Sequence, residues 1–265
     1  MKMKQGPAAA VLDFSGVLSP GAAAFSRPQS LQQALLDSGL AALGLDQAAF
    51  WSEIIEPTWH QGSTTARGYR KLLGEAMLRL GASRGERPAP AAAFTAAGRF
   101  TTAYLDHSSI DPRWAPVLRR LIRQKSVVVA TDHYAEATAH IIAQLNALGL
   151  AAAPALASVP ADAQILVANS ADLDAPKESA AFWRPLLRHW VKAAPAPVLL
   201  VDDFGSNEQP GDSYGRQERY LARKEKTAAA IENAWGAPVK IFPFLMRRDD
   251  EFPALVNAAA RFLLE

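Results

Sequence analysis

The segment PVLLVDD, residues 197–203, decides the fold. Its apolar residues run without a polar break into two aspartates, so nothing alternates and both faces of a strand are destined for burial. The same grammar recurs in AAAVLDF (8–14), SVVVATD (126–132), QILVANS (164–170) and VKIFPF (239–244). Between these runs lie helical patterns: RWAPVLRRLIRQ (113–124), YAEATAHIIAQLNALGL (134–150), KESAAFWRPLLRHWVKA (177–193) and YLARKEKTAAAIENAWG (220–236). EFPALVNAAARFLLE (251–265) closes the chain with another. Strand followed by helix, repeated, predicts right-handed βαβ units and an α/β fold with a Rossmann-like parallel sheet.

The first two strands break that rhythm, because the connection between them is far too long for a crossover. Within it SLQQALLDSGLAALG (30–44), QAAFWSEIIEPTW (47–59), ARGYRKLLGEAMLRLG (66–81) and PAAAFTAAGRFTTAYLD (90–106) are amphipathic at helical spacing. An all-helical cap over residues 20–110 is the expectation, with 1–19 and 111–265 forming the core. ASRGERPAPAAA (82–93) reads as an exposed connector.

Composition narrows the chemistry. The 265 residues contain 28 basic and 26 acidic side chains, a net charge of +2, and no cysteine. Thiol nucleophiles, disulfides, zinc–cysteine sites and iron–sulfur clusters are thereby excluded. Near charge balance gives no electrostatic case for nucleic acid or a membrane surface. No apolar run approaches the roughly 18 residues of a spanning helix, and MKMKQGPAAAVLDF lacks a secretory apolar core. A cytoplasmic protein acting on a small molecule is expected.

In open parallel sheets ligands bind beyond the carboxyl ends of the strands. Those positions hold Asp13 and Ser15, Thr131 and Asp132, Asn169 and Ser170, and Asp202 and Asp203. One strand ending in Asp is ordinary helix capping; four polar strand ends on one rim are not. Clustered carboxylates repel unless a cation sits among them, and all-oxygen donors select a hard ion such as Mg²⁺.

Here the chain resembles the haloacid dehalogenase-like (HAD) superfamily. VLDFSGVL resembles its first motif, SVVVATDH its second, Lys177 in ADLDAPKESAAF its third, and VLLVDDFGSN its fourth. The helical insert occupies the place of the family's cap. The resemblance implies that Asp13 is the nucleophile, forming an aspartyl-phosphate that water hydrolyses. It implies Mg²⁺ held by Asp13, Asp203, the backbone carbonyl of Ser15, and Asp202 directly or through water. Thr131 would donate to a phosphoryl oxygen and Lys177 would balance charge.

The sequence departs from the family pattern where its phosphatases carry a general acid, because that position is Ser15. A serine cannot transfer a proton at neutral pH, so acyl phosphates suit the site better than simple esters. Phosphonatases and dehalogenases of the family also lack this acid, but the dehalogenases lack the paired acids that Asp202 and Asp203 provide. Pro176 also precedes Lys177 rather than following it. Three functional readings stand: a Mg²⁺-dependent hydrolase of a small phosphorylated metabolite, a HAD enzyme cleaving a non-ester bond, and a catalytically silent binding protein.

Asp132 and His133 follow the second motif and are candidate substrate contacts, with His133 a candidate source of the missing proton. In the insert Trp59, His60, Arg67 and Tyr69 flank a GSTT turn. Arg67 is its anion-binding candidate, and Trp59 and Tyr69 suit the cap core. Arg216, Arg219, Arg223, Lys224 and Lys226 form a solvated basic face. Gly211–Gly215 matches the G-x-S-x-G elbow of α/β-hydrolases, but it stands well past the strand and the last histidine, His189, precedes it. There is neither a P-loop nor a G-x-G-x-x-G after the first strand.

Overall fold

The structure, a computed structural model, describes residues 8–85, 88–155, 160, 162–189, 196–208 and 219–265. Strand β1 (Ala9–Leu12) leads into helices α1 (Pro20–Phe25) and α2 (Pro28–Ser38). Helix α3 (Gln47–Ala49) continues through a π-helical stretch (Phe50–Ile55) into α4 (Glu56–Ser63), followed by α5 (Tyr69–Ser83), α6 (Pro90–His107) and α7 (Trp114–Leu121). Then come β2 (Ser126–Thr131), α8 (Glu136–Ala147), β3 (Ala152–Pro154), β4 (Ile165–Asn169), α9 (Ser170–Leu173) and α10 (Ala180–Trp183). Strand β5 (Val198–Asp202), α11 (Tyr220–Trp235), β6 (Val239–Pro243) and α12 (Phe252–Leu264) complete the chain.

The six strands form one parallel sheet in the order β3-β4-β2-β1-β5-β6. Every residue of β1 and β5 is buried, as their unbroken apolar runs predict. Alternate side chains of β1 serve opposite layers. Ala10 and Leu12 pack with Trp114, Ile141 and Val256, whereas Ala9 and Val11 pack with Trp183, Ile231 and Trp235. Leu12 is level with Val129 of β2 and Val201 of β5. One residue further on, Asp13 therefore leaves the sheet between Ala130 and Asp202, at the middle of the carboxyl rim.

Helices α1–α6 form a cap inserted between β1 and β2, with an apolar cluster of their own built on Leu31, Leu35, Phe50, Leu73, Met77 and Phe100. Tyr134 of the core belongs to this cluster. Glu136 also ties the layers, accepting the Tyr69 and Arg70 backbone N–H groups at the start of α5 (2.7 and 3.1 Å). It satisfies donors that a helix N-terminus otherwise leaves orphaned.

Four local expectations need correction. The helix expected over 177–193 is a short α10 followed by a 3-10 segment, Arg184–His189. Pro185 has no N–H to give an α-helical bond to Ala181; residues 190–195 lie outside the described set. Strand β3 goes unread in the sequence because three residues of Ala-Ala-Pro carry no β signal. The edge strand β6 is half-buried, not buried on both faces. The exposed connector expected over 82–93 is shorter, because α5 runs to Ser83, α6 begins at Pro90 and Ala93 is buried; it includes a turn at Arg84 and Gly85, and residues 86–87 lie outside the described set. Among the described residues no helix is long and apolar enough to cross a membrane.

Candidate active site

Four chain segments meet at the rim around Asp13. Lys177 extends its ammonium between two carboxylates, donating to Asp13 Oδ1 at 2.9 Å and to Asp202 Oδ2 at 2.8 Å. Its own backbone N–H is fixed by Asp132 Oδ1 (2.9 Å), and its carbonyl accepts the Trp183 indole N–H (2.7 Å). Lys177 thus reaches Asp13 although Pro176 precedes it. Exposure is 4% for Asp13, 3% for Lys177, 0% for Asp202 and 1% for Asp203.

The paired acids do different work. Asp202 gives one oxygen to Lys177 and the other to the Phe204 N–H (2.7 Å), which closes the turn after β5. Asp203 accepts the Gly205 and Asn207 N–H groups (2.9 and 3.1 Å), each on a different oxygen with a lone pair to spare. Asn207 then ties three loops, donating to the carbonyls of Gly16 and Phe244 and accepting the Met246 N–H. Gly16 takes φ +74°, and a Cβ there would collide with Asp203 Oδ2 and lie 3.2 Å from Asn207 Cβ. Only glycine lets the loop after β1 approach this closely.

Oxygens of Asp13, Asp202 and Asp203 lie within 4.8 Å of one another. Burial, and then the charge of Asp202, pushes Asp13 well above the usual carboxylate range against the pull of Lys177. The same two causes, in the same order, push Asp203 up to about 7. Asp132 is raised chiefly by burial. Three buried carboxyl groups and the half-buried Asp132 thus crowd around the Lys177 ammonium, with the Arg223 guanidinium acting on Asp132, an excess of negative charge that a hard dication would relieve. The donor set fits Mg²⁺: all oxygen, buried and mutually close.

Asp13 opens onto a pocket of about 80 Å³ between core and cap. From the core come Ser15, Thr131, Asp132, His133 and Tyr134, with Glu208 from the loop after β5. The cap side is mainly aromatic: Phe25, Phe50, Trp51, Trp59, Tyr69, Phe100 and Tyr104, with Leu31 and Ile55. The Tyr69 and Tyr134 rings stack at 4.0 Å across the interface, and Trp59 meets Tyr134 edge-on at 5.4 Å. No Lys or Arg lines this pocket among the described residues.

The remaining sequence candidates are distributed unevenly. The Ser15 hydroxyl donates to Glu208 Oε1 at 3.3 Å, so it is engaged with a carboxylate of the loop after β5. His133 is buried; its Nδ1 accepts the Tyr134 N–H (2.8 Å) and its Nε2 meets the Tyr104 hydroxyl at 2.6 Å. With Nδ1 an acceptor, the neutral ring carries its proton on Nε2. Burial lowers its pKa to about 4, so at neutral pH it is no imidazolium acid. That Nε2–H is directed at the Tyr104 hydroxyl. Asn169 and Ser170 are structural: Asn169 donates to Tyr134 O and Thr138 Oγ1, and Ser170 accepts the His133 N–H.

Arg67 is exposed and pairs with Glu75 (2.6 Å), away from the pocket. His60 is exposed too. Trp59 and Tyr69 pack in the cap cluster and line the pocket as well. On the basic face, Arg223 turns inward to Glu178 (3.6 Å), and Lys226 reaches the same carboxylate (3.3 Å). Arg216, the 211–215 elbow and most of the loop after Glu208 lie outside the described residues. The sequence reading missed Glu208, Tyr104 and the Phe25, Phe50 and Trp51 wall. Cap residues carry no motif, and their helical spacing signals only that they are buried.

No protein-family model matches this sequence, and no curated protein matches it. Solved structures do. A 2-haloacid dehalogenase from Pseudomonas syringae pv. Tomato DC3000 aligns over 96% of this chain and 99% of its own, with a TM-score of 0.54 and 15% identity. A chain described as a HAD-hydrolase, YfnB from Bacillus subtilis, bound to magnesium, aligns over 96% and 100%, with a TM-score of 0.50 and 12% identity. At such identities the likeness speaks for the fold alone: this chain has the fold of the haloacid dehalogenase-like superfamily, a Rossmann-like parallel sheet with an inserted helical cap.

Proposed function

We propose that the protein is a Mg²⁺-dependent hydrolase that removes a phosphoryl group from a small organic molecule, with Asp13 as nucleophile. The observation that carries this reading is the buried trio Asp13, Asp202 and Asp203, with Lys177 bridging the first two and Asp13 opening onto a ligand-sized pocket. The magnesium-bound B. subtilis structure supports it by the likeness of fold.

An Asp13 oxygen forms a bond to phosphorus while the bond from phosphorus to the leaving group breaks, its electron pair departing with that group. Water then attacks the aspartyl-phosphate, releasing inorganic phosphate and returning the carboxylate. When bound, the dication would hold Asp13 ionised and offset the charge of the phosphoryl oxygens. Asp13 and Asp203 fit as its ligands. Asp202, with both oxygens engaged, fits as the anchor that aims Lys177 at Asp13. Thr131, buried at the pocket floor, is the candidate donor to a phosphoryl oxygen.

The dehalogenase neighbour raises halide displacement as a second reading. A 2-haloacid brings a carboxylate, which would meet Asp132 and Glu208 here and no Lys or Arg among the described lining. The phosphoryl reading fits better. Its test is phosphate release from acyl, aryl and alkyl phosphates and a phosphonate, with Mg²⁺ and with EDTA, against Asp13→Asn. Release that needs both Mg²⁺ and Asp13 supports it; Asp13-dependent chloride release from 2-chloropropionate without phosphate release overturns it.

A further inference from the structure

The pocket above Asp13 has a composition that says what it holds. Phe50, Trp51, Trp59, Tyr69 and Phe100 present ring surface from the cap, while the charged side chains of the described lining, Asp13, Asp132 and Glu208, are all acids. A ligand group with its own negative charge would lose water there and face carboxylates. A polyhydroxy group would bury hydroxyls against the Phe25, Phe50, Phe100, Leu31 and Ile55 part of the wall, which has no polar atom to pair with them. An uncharged ring gains dispersion and edge contacts from every wall. A single water needs only about 10–15 Å³, so the cavity of about 80 Å³ has room for a ring-sized group.

The chemistry at the floor agrees independently. Where a proton donor would stand, Ser15 instead donates its hydroxyl to Glu208. A leaving oxygen that departs unprotonated must be a weak base. A phenolic oxygen, with a pKa of about 10, is far weaker than an aliphatic alkoxide. We propose, building on the phosphoryl-hydrolase reading, that the substrate is an aryl phosphate monoester whose uncharged aromatic ring sits in the Trp59–Phe50–Phe100 pocket. The Asp13 oxygen bonds to phosphorus, the P–O(aryl) bond breaks heterolytically, and the aryl oxide takes a proton from water. The aspartyl-phosphate is then hydrolysed to inorganic phosphate.

The experiment compares phenyl, 4-carboxyphenyl, cyclohexyl and glycerol phosphates on the full chain with Mg²⁺. Quenching of tryptophan fluorescence by phenyl phosphate and by phenol is followed in wild type and in Asp13→Asn. Phenyl phosphate should exceed each of the others in kcat/KM by about tenfold or more. The cyclohexyl deficit should lie in kcat and the carboxyphenyl deficit in KM. Trp59→Ala should raise KM for phenyl phosphate about tenfold while moving kcat less. Ser26→Lys is a second, fold-sparing variant, because Ser26 lines the pocket, is half-buried, and its hydroxyl bonds within its own turn, to Ala23 O. It should shrink the carboxyphenyl penalty.

Asp13-dependent release that is fastest with glycerol phosphate, or insensitive to both variants, overturns the aryl assignment and leaves the hydrolase reading standing. If no substrate is turned over but phenyl phosphate and phenol still bind, and Trp59→Ala weakens them, the ring pocket stands and the hydrolase reading fails. Neither turnover nor binding overturns both.

Discussion

Lys177→Met removes the cation that bonds both Asp13 and Asp202. Its ammonium lies 2.9 Å from Asp13 and 2.8 Å from Asp202. At an effective dielectric near 20, two such contacts amount to about 12 kcal/mol of gross attraction. Desolvation of the ammonium offsets several kcal/mol of this. Removing one partner of a buried pair costs about 3–5 kcal/mol, because the other charge is left uncompensated. Protonation provides an escape from that cost. Burial and Asp202 already push Asp13 well above the usual range and Asp203 up to about 7, and losing Lys177 removes a cause that lowers both. Below their folded pKa values the carboxyls take up protons and the repulsion disappears. The stability gap between wild type and Lys177→Met should therefore be about 3–5 kcal/mol at pH 8 in EDTA and shrink toward pH 5. Saturating Mg²⁺ at pH 8 should narrow it, while phosphate release stays lost. Urea unfolding at four pH values, with EDTA or Mg²⁺, measures all of this. A gap that is absent at pH 8, or independent of pH, would refute the account of Lys177 as the counter-charge of an overcrowded acid cluster.

Three further outcomes are expected. His133 has its pKa lowered to about 4 by burial from an ordinary value near 6.5. The unfolded chain therefore binds a proton that the folded chain refuses, and stability falls as pH drops through this window, by about 3 kcal/mol in all. Urea unfolding of wild type and His133→Gln between pH 7.5 and 4 isolates that slope, and a constant difference would remove it. Ser15→Asp restores a carboxyl group where proton transfer is needed, so alkyl phosphate turnover should rise on the order of 10²-fold relative to aryl, read as the change in the leaving-group ratio. Gly16→Ala drives a Cβ into Asp203 at a φ of +74° and should cost about 1–3 kcal/mol along with the phosphate release. Thermal unfolding and phosphate assay check this, and a Gly16→Ala protein with wild-type stability and turnover would sink it.

The sequence alone determined the central strands of the sheet and their polar rim, but not the edge strand β3, whose Ala-Ala-Pro carries no β signal. Strands buried on both faces must be apolar throughout, so PVLLVDD and AAAVLDF declare themselves without any tertiary information, and the first polar residue after each marks where the strand emerges. Side chains at those emergence points share one edge of a parallel sheet by topology, which is why Asp13, Thr131 and Asp202 are legible in the order of residues alone. Lys177 is legible only through family resemblance, since a lone lysine at a helix start has no physical signature; the contacts to Asp13 and Asp202 belong to the fold. The division of labour between Asp202 and Asp203 also lies beyond the sequence, because two adjacent aspartates look alike until the turn after β5 directs one oxygen to Phe204 and another to Gly205. The charge of His133 is also beyond the sequence, because burial, which no motif encodes, lowers its pKa to about 4. The aromatic wall is hidden for a related reason. A helical hydrophobic pattern reports that a side chain is buried, and only packing decides whether it is buried against the cap's own core or around a ligand.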